Sequence, residues 1–130
     1  MQLPHAKILL LCEHAGVLMK YTEILNALGF FHVIPCSNFH EARRLIKMER
    51  QFEYLFYDGF RCVASRRGEL LAFRENVANI VLFAEVSKTK RLIMSRWARS
   101  KGVSLLGILP RPIKIHQIQD VVCPPNVDRK

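Results

Sequence analysis

The chain has 130 residues, half of them apolar, and a formal net charge of +9. This suits one globular domain with a real core, is too short for two comfortable cores, and argues against disorder. No apolar run approaches the roughly 20 residues needed to cross a bilayer, and the stretch 8–12 is too short for a secretory signal, so a soluble cytoplasmic domain is expected.

The first element is the apolar run Lys7–Leu11, a strand covered on both faces. A helix follows, with Val17, Leu18, Tyr21, Leu25 and Leu28 at three- and four-residue spacing and Gly29 as its stop. Phe31–Pro35 is a second short strand. Asn38 stands three residues before Glu41, a helix-cap spacing, and the next helix carries Ala42, Leu45, Ile46 and Met48. Phe52–Tyr57 is a third strand, ending at Asp58-Gly59. A loop with Arg66, Arg67 and Gly68 leads to a helix around Glu69–Arg74. Ile80–Phe83 is a fourth strand, Lys88–Ser100 a helix stopped by Gly102, and Leu105–Leu109 a fifth strand. Pro110-Arg111-Pro112 breaks the chain, and Ile115, Ile118, Val121 and Val122 mark a last helix stopped by Cys123-Pro124-Pro125.

Five strands alternating with helices imply a doubly wound α/β sheet, all parallel, in the order 2-1-3-4-5. Residues 1–123 form the domain, and 124–130 are a polar, proline-bearing linker or tail. Sites in such sheets lie beyond the carboxyl ends of the strands. That rule selects Cys12-Glu13-His14, Pro35-Cys36, Asp58-Gly59, Ala84-Glu85 and Pro110-Arg111-Pro112.

Asp58 ends an apolar strand, where a carboxylate can act as a nucleophile toward phosphate or simply cap a turn. Glu13 at the end of the first strand adds a second carboxylate, and the pair is a hard-oxygen set suited to Mg²⁺. Arg111 supplies a cation at the end of the fifth strand. The four cysteines show no zinc or redox spacing, and Cys12 and Cys36 are expected to be reduced and buried. The basic residues fall mostly at helix spacing, and no helix-turn-helix, RNP or zinc-finger motif accompanies them, so nucleic acid is not the expected partner.

From Lys7 to Val122 this layout resembles the receiver domain of two-component response regulators, the CheY-like fold. The matching pieces are 8–13 for the first strand and acidic pair, 28–30 for the turn into the second strand, 54–58 for the phospho-acceptor strand, and Arg111-Pro112 for the family's Lys-Pro. The resemblance implies that Asp58 accepts a phosphoryl group from a histidine kinase or phosphotransfer protein. It also implies that Glu13 and Asp58, with the Phe60 backbone, hold Mg²⁺, that Arg111 pairs with the phosphate, and that the Arg111-Pro112 bond is cis. The pocket departs from the family at several points. Cys12 replaces the first acid, Ala84 replaces the Ser/Thr, Arg111 replaces a lysine, the loop 59–67 lacks the usual Met-Pro, and the aromatic switch position falls on Leu106 or Gly107. Mg²⁺ binding is therefore expected to be weak. The alternative is a phosphorylation-independent pseudo-receiver that docks a partner, or dimerises, through the last helices and fifth strand, including the basic helix Lys88–Lys101. There Trp97 reads first as a half-buried packing residue. The stretch 105–113 is also similar to receivers ahead of EAL-type cyclic-di-GMP phosphodiesterase domains, which suggests such an output domain.

Overall fold

The computed structural model describes residues 6–49, 51–111 and 113–122. The strands are β1 (Lys7–Cys12), β2 (His32–Cys36), β3 (Phe52–Asp58), β4 (Val77–Phe83) and β5 (Leu105–Leu109). Between and after them run α1 (Ala15–Ala27), α2 (Phe39–Glu49), α3 (Arg67–Phe73), α4 (Lys88–Ser100) and α5 (Ile115–Val122), with a 3₁₀ turn at Ala64–Arg66 before α3. All pairings are parallel and the order is β2-β1-β3-β4-β5, as the alternation requires.

Because successive strand residues face opposite ways, the sheet sorts its apolar side chains into two cores. Leu9, Leu11, Leu55, Tyr57, Ile80 and Leu82 pack with Ala42, Ile46, Leu70, Phe73, Met94 and Ala98, from α2, α3 and α4. Ile8, Leu10, Cys12, Phe56, Val81 and Phe83 pack with Tyr21, Leu25, Ile118 and Val122, from α1 and α5. Burial on both faces is why these strands read as continuous apolar runs rather than as alternating ones.

The helix boundaries follow local chemistry. The Asn38 side chain accepts the Glu41 backbone N–H at 2.8 Å, and the Glu41 carboxylate accepts the Ser37 N–H at 2.8 Å. Ser87 caps α4 by accepting from the Lys90 N–H. Gly29 and Gly102 take the positive φ that ends α1 and α4.

Several expectations shift. β2 begins at His32, leaving Phe31 exposed, and α3 begins two residues earlier than expected, following the 3₁₀ turn. β4 starts at Val77 rather than Ile80, because Phe52 and Tyr54 of β3 pair with Val77 and Asn79. Met48 is exposed, being some 200° around the helix from Ile46, off the stripe that Ala42 and Ile46 bury. Val17 and Ile115 also face outward. Trp97 is half-buried against the α2–α4 core with the Arg67 guanidinium 5.5 Å from its ring centroid. Cys12 and Cys36 are buried free thiols, as expected.

Candidate functional site

The strand register determines what Asp58 meets. Cys12 of β1 pairs with Asp58 of β3, and Asp58 pairs with Phe83 of β4. Paired residues in a parallel ladder face the same side, so Asp58 points with Cys12 and Phe83 toward α1 and α5. At that depth it meets Tyr21 of α1. The Tyr21 hydroxyl donates to Asp58 Oδ2 at 2.9 Å, while its ring stacks on Phe83 with centroids 4.8 Å apart. The Cys12 thiol has two acceptors for its one proton, the His14 carbonyl at 3.6 Å and Asp58 Oδ2 at 3.7 Å.

Arg111 approaches from the β5–α5 connection. Its Nη1 lies 3.1 Å from Asp58 Oδ1, yet that oxygen has no aligned hydrogen bond, so the contact is one of charge. The Asp58 side chain is only 2% exposed, against 43% for Arg111. The Arg111 backbone N–H donates to the Glu85 carboxylate at 2.8 Å, tying this connection to the end of β4. Gly59, at φ 96°, turns the chain immediately after the buried acid, a conformation that a side chain disfavours.

Above these groups is a polar cavity of about 660 Å³. Glu13, Phe60, Ala84 and Arg111 line it, but Asp58 does not. The expected site residues thus divide. Cys12 and Arg111 each meet Asp58 directly, whereas Glu13 is exposed and shares only the cavity with Arg111. Ala84 is buried on the opposite face of the sheet from Asp58's neighbours, with the α2–α4 core. Pro112, and with it the cis-bond expectation, lies outside the described residues, as do Cys123 and the tail 124–130.

Burial pushes the Cys12 thiol above its ordinary range, and the Asp58 charge adds to the rise. Burial also drives the Tyr21 phenol well above its usual value, again with help from Asp58. Both groups therefore keep their protons and act as donors. On the other face, the Tyr57 hydroxyl donates to Glu69 at 2.6 Å and Arg66 Nε donates to the same carboxylate at 2.7 Å, which organises the loop after β3.

These residues fit Mg²⁺ poorly. Such an ion needs hard anionic oxygen arranged near an octahedron. Among the described residues no group of three His, Cys, Asp or Glu side chains is placed to hold a metal. The thiol stays neutral, and Arg111 puts a positive charge against the buried carboxylate.

Sequence reasoning missed Tyr21 as the partner of Asp58, having placed it only in the apolar stripe of α1. The signal was available: a phenol inside a core stripe needs an acceptor for its O–H. The Glu85 contact to the Arg111 backbone was not legible, since it depends on loop geometry.

No family model matches the chain, and no curated protein matches its sequence. Solved structures do match. The Vibrio cholerae chemotaxis protein CheY4 is 15% identical, with a TM-score of 0.65 over 90% of this chain and 95% of the other. The pseudo-receiver domain of CikA is 20% identical, with a TM-score of 0.59 over 93% and 99%. The receiver domain of the histidine kinase CKI1 from Arabidopsis thaliana, complexed with Mg²⁺ and BeF₃⁻, is 18% identical, with a TM-score of 0.59 over 92% and 91%. The order β2-β1-β3-β4-β5, the helices on both faces and these neighbours together give the chain the CheY-like receiver fold.

Proposed function

We propose that this chain is a receiver-fold signalling domain that works without phosphorylation, with Asp58 as a buried anchor rather than a phospho-acceptor. The observation that carries this reading is the carboxylate itself. The Asp58 side chain is 2% exposed, its Oδ2 accepts from Tyr21, its Oδ1 faces Arg111, and it does not line the cavity above it. Phosphoryl transfer needs in-line approach to a free oxygen, with cations on the transferring group. A donor in the cavity meets Arg111 and the exposed Glu13 before it meets Asp58.

The domain then acts by docking a partner protein or a second copy. Leu92 and Ile93 on α4 and Leu106 on β5 are exposed apolar side chains on adjacent elements, beside the cations Lys88, Arg96 and Arg99. None of the structural neighbours described above is named as an EAL-type protein, so this reading carries no particular output domain.

The second reading is a phosphorylatable receiver served by a histidine kinase. One observation favours it: Asp58 Oδ1 has no aligned hydrogen bond, and its neighbour Arg111 is partly solvated. Titration with Mg²⁺ and beryllofluoride, followed by amide NMR, separates the two. The expected result is no saturable shift at Gly59, Ala84 or Arg111. Saturable shifts that disappear in Asp58→Asn would favour the phosphorylatable receiver.

A further inference from the structure

The helical charges divide unevenly between the two faces of the sheet. Helices α2, α3 and α4 cover one face, and α1 and α5 the other. In α1 and α5 the single cation Lys20 stands against Glu23 and Asp120. Helix α2 holds Arg43, Arg44 and Lys47, and α3 holds Arg67. Helix α4 has Lys88, Lys90, Arg91, Arg96 and Arg99 and no carboxylate. The acids of this face are already engaged: Glu49 pairs with Lys7, Glu69 pairs with Arg66, and Glu41 accepts the Ser37 N–H. Arg43, Arg44, Lys47, Lys88, Arg96 and Arg99 are exposed, and among the described residues none of them has an ion pair. Like charges gathered on one side repel one another, and a polyanion relieves that repulsion.

The spacing of the helices selects the polyanion. Helix α2 packs on β1 and α4 on β5, three strand spacings apart in the order β1-β3-β4-β5. At about 4.8 Å per spacing, the two basic helices are separated by about 14 Å. Crossover helices return along the strands they join, so the two rows of cations run side by side. Between them, the exposed residues of α3 are Gly68 and Ala72, both small. Two such rows match the phosphate strands that border the major groove of B-form DNA, about 12 Å across. The deep, narrow major groove of A-form RNA does not match. A single strand needs open rings to stack on, whereas Phe39 and Trp97 on this face are half-buried, with the Arg43 and Arg67 guanidiniums over them. A lipid surface takes exposed apolar side chains, and these are shared by both faces: Leu92 and Ile93 on α4, but Val17, Met19 and Ile115 on α1 and α5. Most of the cations on α2, α3 and α4 are arginines, whose planar fork suits phosphate.

We propose that the face formed by α2, α3 and α4 binds double-stranded DNA through its phosphates, without reading base sequence. Arg43, Arg44 and Lys47 hold one strand, and Lys88, Arg96 and Arg99 hold the other across the major groove. Gly68 and Ala72 are too short to reach base edges, so the contacts position the duplex and carry no sequence preference. In the sequence these cations fall in separate segments, and only the fold brings them onto one face. The inference goes beyond the protein docking proposed above and does not involve Asp58.

The test is fluorescence anisotropy of the intact chain with a short labelled DNA duplex, titrated at several salt concentrations. Six phosphate contacts predict that log K falls with log salt at a slope of about −5. Arg43→Gln with Arg44→Gln, and separately Arg96→Gln with Arg99→Gln, should each flatten the slope by about 2 and weaken binding at least about ten-fold near 0.1 M salt. Lys20→Gln with Lys114→Gln, in α1 and at the start of α5, should change neither. Duplexes of unrelated sequence should bind alike, and unchanged circular dichroism shows that each variant folds. Four results would each overturn the proposal. One is no binding at low salt, and another is an equal loss in the Lys20/Lys114 variant, which would mean net charge alone. The third is no effect of the α2 substitutions. The last is binding to duplex RNA, single-stranded DNA, polyglutamate, or phosphatidylglycerol–phosphatidylcholine vesicles as tight as to duplex DNA. Phosphorylation of Asp58 in a separate reaction would count against the function proposed above and leave this titration standing.

Discussion

Tyr21→Phe isolates the hydrogen bond on which the buried Asp58 depends. The substitution keeps the ring, and with it the stack on Phe83, and removes only the O–H that donates to Oδ2 at 2.9 Å. What then remains at that oxygen is the Cys12 thiol at 3.7 Å, a weak donor shared with the His14 carbonyl. Tyr21 is 2% exposed and Asp58 3%, so water does not readily replace the lost donor. A hydrogen bond to a charged group contributes about 1.5–3 kcal/mol, which sets the expected loss near 2 kcal/mol. For a chain of this length that corresponds to a drop in Tm of about 5–8 °C. Urea unfolding of four proteins measures it: wild type, Tyr21→Phe, Asp58→Asn and the double variant. With the charge gone in Asp58→Asn, the same Tyr21→Phe change should cost only about 1 kcal/mol, leaving a coupling energy of about 1 kcal/mol. A loss below about 0.5 kcal/mol, or the same loss in both backgrounds, would refute the anchoring role.

Further outcomes follow from the same geometry. Cys12→Asp puts a second carboxylate beside Asp58, so without metal it should lower stability by about 2–4 kcal/mol. Millimolar Mg²⁺ should raise the Tm of that variant but leave the wild-type Tm unchanged in differential scanning fluorimetry. Gly59→Ala should cost about 1–2 kcal/mol in urea unfolding, because φ is 96° there and nothing crowds the added carbon. Burial pushes the Cys36 thiol up to about 12. The unfolded chain loses that proton first, near its ordinary value of 9.0, so stability should fall as pH rises from 9 toward 12. The slope from Cys36 alone is at most about 1.4 kcal/mol per pH unit, and Cys36→Ala should flatten it between about pH 9 and 10.

Most of the fold was legible because burial on both faces writes itself into the strands as unbroken apolar runs. Lys7–Leu11 and Phe52–Tyr57, broken only by the exposed Glu53, needed no tertiary information, while the edge strand Leu105–Leu109 reads as apolar although only Ile108 is fully buried. Gly29, Gly102 and the Asn38–Glu41 pair marked helix ends by backbone chemistry that operates locally. The start of β4 was missed because Val77-Ala78-Asn79 is unremarkable alone and becomes a strand only by pairing with β3. The strand-end rule brought Asp58, Cys12 and Arg111 onto one list, but it does not tell which side of the sheet each side chain takes. The register does: Cys12 pairs with Asp58 and shares its side of the sheet, while Glu13 lies beyond the strand and is exposed. The depth of Asp58 and its bond to Tyr21 depend on how α1 lies across the sheet, which no spacing rule contains.

We propose Asp58 as an anchor and not an acceptor. Incubation of the intact chain with Mg²⁺ and acetyl phosphate, followed by intact-mass measurement, tests it most directly. The expected result is a mass identical to the untreated protein, under conditions in which a competent receiver run alongside gains one phosphoryl group. A stoichiometric phosphoryl gain on the wild-type chain, absent in Asp58→Asn, would contradict the claim.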